Sequence, residues 1–332
     1  MPKIHEKIME KENLRRVDVI GALLSLAWPT MLVFALEEGG EAYAWNSSQI
    51  IGTLTGSGVS LIAFGFYEVW VQRRGRQEPI FSVKFLKDPM LSLNLLAMLT
   101  MGSCFYAAII LLPQRFQAVN DISAAKAGIT MLPFTILSPV FSMVCGMLLS
   151  KVPRSAGLVL ICSSAVTIVG IALLGSFSTM SEPLSITPKV YGFEVILAVG
   201  LGFMMPPLIF FIKVEYDGDD LAAAMGANNT SRTLGGCVAV AVCSTILHSD
   251  LSSSLEDFLS PNKVEAVLSS TANTSGLSVS ETTKMQQAYG QSYDTQFRAL
   301  IAFAGVSFIC SAIMWIIQYT RKVKYNNSSN CA

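Results

Sequence analysis

Three ionisable side chains, Glu68, Glu194 and Arg232, stand inside or at the edge of long apolar stretches, where a charge needs a reason. A carboxyl group taken out of water is disfavoured in its charged form, so such a group can take up and release a proton. Glu194 is placed for that role, about one turn inside the outer end of its apolar stretch. The alternative for Glu194 is that it reaches the headgroup layer and has no proton role. Arg232 lies well inside another stretch, where a central Arg costs roughly 2.5 to 3.5 kcal/mol on insertion scales, so it is expected to face a neighbouring helix or a wet cleft. Two roles stay open for it: structural pairing with helix-end carbonyls or with Asn228 and Asn229, and contact with a ligand. Catalysis would require titratable groups that converge. Glu68, Glu194 and Arg232 are instead scattered along the chain, with no His cluster and no nucleophile motif, so an enzyme is not expected.

The remaining reactive residues add no second chemistry. His5 and His248 are isolated, one in a tail and one at the edge of an apolar stretch, and solvated or interfacial roles suit them better than metal ligation. Cys104, Cys145, Cys162, Cys237, Cys243 and Cys310 fall within apolar stretches and Cys331 in the C-terminal tail, so no pair is placed for a disulfide and no metal spacing exists. No Gly-rich Lys motif that would cradle phosphate is present. No cofactor and no metal are expected.

The elements that must position these residues are membrane-spanning helices. Eight apolar stretches are each long enough to cross a hydrocarbon core of about 30 Å, which takes roughly 20 residues at the helical rise. They lie at about 18–36, 49–71, 90–112, 127–149, 157–177, 190–212, 223–247 and 297–319. The composition agrees, with 52% hydrophobic and 14% charged residues, and a net charge of zero offers no electrostatic footprint for nucleic acid. The expected fold class is all-α and polytopic. The first stretch runs into Glu37 and Glu38 rather than a small-residue cleavage site, and is read as retained rather than as a signal peptide. Pro29, Pro133, Pro139, Pro206 and Pro207 are expected to kink or break helices.

Lys and Arg set the orientation. If every stretch crosses, sixteen fall on the side of both termini and five on the other, which places both termini in the cytoplasm. Asn46 and Asn273 head sequons on the outer side and are glycosylation candidates. The one long connection, 249–296, also lies outside; its Ser, Thr and acidic content predicts short helical pieces and mobility. The acidic cluster Asp217, Asp219 and Asp220 precedes the seventh stretch and is expected to cap it.

Three segments carry a family resemblance. LPQRFQAVNDISAAKAGITMLPF (Leu112 to Phe134) resembles the link between the first two helices of the C-terminal half of major facilitator transporters. GLGFMMPPLIFF (Gly200 to Phe211) is similar to that half's Gly-rich helix ending in prolines, and DLAAAMGANNTSRTLGG (Asp220 to Gly236) to its penultimate helix with an internal Arg. More narrowly, the chain looks like the fourteen-span drug:proton antiporters of fungi and bacteria, with Arg115 where an aromatic is usual. The first two spans, ending at FYEVWVQRR, resemble the linker pair between the two six-helix halves. The similarity runs from about Arg15 to Arg321. The motifs of the family's N-terminal half are not found, so the chain is expected to be a C-terminal portion or truncated product.

The resemblance implies a layout: an N-terminal tail over 1–17, the linker pair over 18–88, the six-helix half over 89–320 with its outer loop at 249–296, and a C-terminal tail over 321–332. It also implies that the third and sixth spans line the substrate path, as first helices of two inverted repeats. Asn94, Met98, Met101, Tyr106 and Met204 are the path candidates, because small polar groups beside adaptable thioethers suit a permissive pocket for amphipathic molecules. Helix packing is the other reading of each. Arg232, on this view, could also contact the missing half.

The expected function is proton-coupled efflux of small amphipathic drugs or secondary metabolites across the plasma membrane. Expected partners are the substrate, protons, the lipid bilayer and a separate N-terminal half. Uptake of siderophores or of amino acids into vacuoles by sister families, and a nontransporting membrane fragment, are the other readings.

Overall fold

The computed structural model describes residues 18–39, 43–74, 87–176, 186, 188–256 and 278–329. Among them the structure is helical, with α1 at Val19–Glu38, α2 at Ser48–Arg74, α3 at Pro89–Asn120, α4 at Ala124–Thr130 and α5 at Leu132–Lys151. A single 3-10 turn, Pro153–Ser155, leads to α6 at Ala156–Leu174, α7 at Lys189–Glu215, α8 at Gly218–Glu256 and α9 at Val279–Ser329. Eight segments are long and apolar enough to cross a membrane, α4 and α5 acting together as one. The chain is a multi-pass membrane protein.

Two compact units emerge, one of residues 1–92 with 212–227, the other of 93–211 with 228–332. In the first, α1 and α2 form a hairpin, and the Ser57 hydroxyl donates to the Trp28 carbonyl at 2.8 Å. Both helices are apolar on most of their circumference and leave Leu23, Leu26, Val59, Ile62 and Phe66 exposed, as lipid-facing helices do. Asp18 caps α1 by accepting from the Gly21 N–H at 2.8 Å. The same unit holds the start of α3 and the end of α7, joined by the Tyr216 hydroxyl donating to Asp88 Oδ2 at 2.6 Å. Burial, then the Asp88 carboxylate, pushes the Tyr216 phenol above its ordinary range, which keeps it protonated and able to donate.

The second unit is a bundle whose helices approach closely at glycines. At Gly170 an added Cβ would lie 2.9 Å from Leu197 Cα, and at Gly157 2.6 Å from the Trp315 ring, so α6 is pressed against α7 on one side and α9 on another. The tightest approach joins α3 to α8, where a Cβ on Gly235 would sit 1.8 Å from the Leu99 carbonyl oxygen and one on Gly102 2.0 Å from that of Arg232. The Ser103 hydroxyl closes this seam by donating to the Gly235 carbonyl at 2.8 Å. Gly235→Ala therefore pushes α3 and α8 apart and is expected to cost about 1–3 kcal/mol. Thermal unfolding in detergent measures it, and an unmoved midpoint would count against so close a seam.

One expectation is corrected. The outer connection drawn at 249–296 contracts, because α8 continues to Glu256 and α9 begins at Val279. The reason is a buried stripe of Met285, Ala288, Tyr289, Ser292, Tyr293 and Gln296, spaced three and four apart along one continuous helix. Among the prolines named above, only Pro133 stands at a helix break: it lies in the first turn of α5, where its missing N–H is not needed, just after the turn at Met131. Pro29, Pro139, Pro206 and Pro207 sit inside continuous helices.

Candidate functional site

The α3–α8 seam sets Tyr106 and Arg232 side by side. Gly236, one turn beyond Arg232, lets the Tyr106 ring lie against the α8 backbone, since a Cβ there would meet the ring at 2.5 Å. The Arg232 guanidinium then sits 5.8 Å from the ring centroid, within cation–π range. Arg232 Nη2 donates to Asn229 Oδ1 at 3.1 Å, which takes up one of the two pairing roles expected of it. Asn228 is buried elsewhere in the packing, and its Oδ1 has no hydrogen-bond partner. Tyr106 and Arg232 are half-buried, and Asn229 and Thr233 are exposed, so polar groups reach the surface of α8 here.

Glu194 lies in the second turn of α7 and is fully enclosed, at 0% exposure. Neither carboxylate oxygen makes a hydrogen bond of normal geometry. The backbone N–H of Phe134, in the first turn of α5, is the group that faces it. First-turn N–H groups have no partner within their own helix and carry the positive end of its dipole, so they favour a nearby carboxylate.

The other path candidates go to the interior of the same unit. Asn94 donates to the Leu208 carbonyl at 2.8 Å, tying α3 to α7. Met98, Met101 and Met204 are buried, and the Ser307 hydroxyl of α9 stands 3.9 Å from Met204 Sδ and 3.5 Å from the Ala97 carbonyl. The structure thus brings Tyr106 to Arg232 and leaves Asn94, Met98, Met101 and Met204 in helix contacts. Asn46 is exposed in the turn before α2, while Asn273 lies outside the described residues.

Sequence reasoning missed one charged pair. Arg115, near the end of α3, and Asp294, on the extension of α9, approach to 3.6 Å with side-chain exposures of 3% and 4%. Tyr293 lies within electrostatic range of the same guanidinium. The sequence signal available was an Arg in place of an aromatic, which carries no hint of its partner.

The profile of the Major Facilitator Superfamily matches residues 15–240. The chain belongs to that superfamily. The match takes in Tyr106, Glu194 and Arg232 and stops short of Asp294. The chain is 32% identical over 321 residues to the MFS-type transporter FPY5 of Fusarium mangiferae, covering 96% of this chain and 53% of the relative. It is 28% identical over 264 residues to the MFS-type transporter VdtG of Byssochlamys spectabilis, covering 80% and 46%. It is 27% identical over 308 residues to the efflux pump DEP3 of Fusarium langsethiae, covering 90% and 54%. This superfamily member spans about half the length of these curated relatives.

Proposed function

We propose that the chain contributes to proton-coupled export of small amphipathic organic molecules, such as drugs or secondary metabolites, across the plasma membrane. The observation that carries the reading is Glu194: an acid enclosed in an apolar bundle, faced by the Phe134 backbone N–H and by no counter-charge, is the kind of group that can load and release a proton. The efflux-pump name of one relative, within the same superfamily, supports reading the direction as outward. A proton moving inward brings about 2.3 kcal/mol per 100 mV, which suffices to drive export without a nucleotide site.

On this reading both termini are cytoplasmic, α1 and α2 are the linker pair, and α3 to α9 form one six-span half that works against a separate N-terminal half. Asn46 is then on the outer side and open to glycosylation. Co-expression of the chain with the N-terminal half of a full-length relative, in cells stripped of their own pumps and compared with cells holding that half alone, tests the proposal. Lower accumulation of amphipathic dyes, reversed by a protonophore, is the expected result. Accumulation equal to that of cells holding that half alone, with the chain present in the plasma membrane, counts against it.

A further inference from the structure

Arg232 carries a charge that its surroundings do not balance. Among the described residues no carboxylate stands within ion-pairing distance of it. Its neighbours are neutral: the Asn229 amide at 3.1 Å and the Tyr106 ring at 5.8 Å. Its Nε is out of reach of water and has no acceptor. A guanidinium held in that setting keeps an unmet preference for an anion.

The geometry around it selects the kind of anion. Asn229, Arg232, Thr233 and Gly236 fall on one side of α8, so the guanidinium, two small polar groups and the Tyr106 face share one patch. A guanidinium pairs planar carboxylates through two donors at once, and a phenol ring offers a flat apolar wall beside it. The close seam at Gly102, Gly235 and Gly236 fixes both groups on helix backbones rather than on loops.

We propose that Arg232 is the counter-charge for the acidic group of the transported molecule, and that the substrates are planar aromatic carboxylates whose ring lies on Tyr106. This rests on the reading of the chain as a small-molecule carrier, and goes beyond it by naming the substrate class and the residue that selects it.

The test uses the full chain in phosphatidylcholine nanodiscs, without any proton gradient. Two probes of nearly equal shape, 2-naphthoate and its neutral amide, 2-naphthamide, are compared by equilibrium dialysis. The acid is expected to bind about tenfold more tightly. Arg232→Gln removes that preference while leaving amide binding in place, which also reports that the variant is folded. Arg232→Lys keeps the charge and part of the preference, and Tyr106→Leu weakens acid and amide alike. Equal affinity for the two probes on the unaltered chain overturns the proposal, whatever the variants do. So does loss of the preference in phosphatidylglycerol-enriched nanodiscs, which would make a lipid phosphate the natural occupant. Because binding is read without turnover, an acid preference with no efflux in cells would sink the transport reading alone, and efflux without acid preference would sink this one alone.

Discussion

On the proposed reading, Glu194→Gln is expected to abolish the proton dependence of transport while leaving the helix bundle intact. The substitution keeps the shape and the two polar atoms of the side chain and removes only its ability to exchange a proton. Glu194 is at 0% exposure, so the amide meets the same packing as the acid and stability should change little. What changes is the cycle. One-to-one exchange converts a single pH unit into about tenfold accumulation, since 1.4 kcal/mol is a factor of ten. In proteoliposomes the Gln variant is expected to lose that whole factor and to equilibrate substrate regardless of the gradient. Glu194→Asp, which keeps an acid one methylene shorter, is expected to retain coupling at a reduced rate. A Gln variant that concentrates substrate as the parent does would remove Glu194 from the mechanism.

The position of Glu194 explains why one acid can serve. It faces the Phe134 N–H in the first turn of α5, and that turn exists because Pro133 lets a new helix start after Met131. A helix start offers unused N–H groups and a partial positive charge. On the proposed reading, these groups are what the charged acid would meet during the cycle.

The eight spans were legible because their length and apolar composition have one solution in lipid. Glu194 and Arg232 were legible for the same reason in reverse, as charges in the wrong solvent. The arrangement around Arg232 was not. Tyr106 and Arg232 are both visible in the sequence, yet their pairing depends on how closely α3 and α8 approach at Gly102, Gly235 and Gly236, and single glycines in spans look alike whether or not a backbone lies over them. Likewise Met98, Met101 and Met204 suit a pocket and a packed interior equally well by type, and here they lie in the interior. The extension of α9 was hidden by composition. Gln286, Ser292, Asp294 and Gln296 read as a solvated connection, but all four are buried, in a helix whose stripe of Met285, Tyr289, Tyr293 and Phe297 supplies the apolar contact.

That extension holds the partner of Arg115, and removing the partner is the other large effect expected. Asp294→Ala leaves a guanidinium enclosed at 3% exposure without the carboxylate 3.6 Å away. Breaking a buried pair from one side typically costs about 3–5 kcal/mol, because the remaining charge has lost both water and the opposite charge that offset that loss. At 3.6 Å this atom pair is longer than a charge-assisted hydrogen bond, about 2.7–2.9 Å, so it attracts through charge. The double change Arg115→Met with Asp294→Leu is thus expected to recover most of the loss, since two apolar chains of similar volume fill the space with no charge to solvate. Unfolding midpoints in detergent for Arg115→Met, Asp294→Leu and the two together form a cycle that isolates the pair. Recovery in the double makes the pair an electrostatic tie between α3 and α9. A single Asp294 variant as stable as the parent would mean that the extension of α9 is held by its aromatic stripe alone.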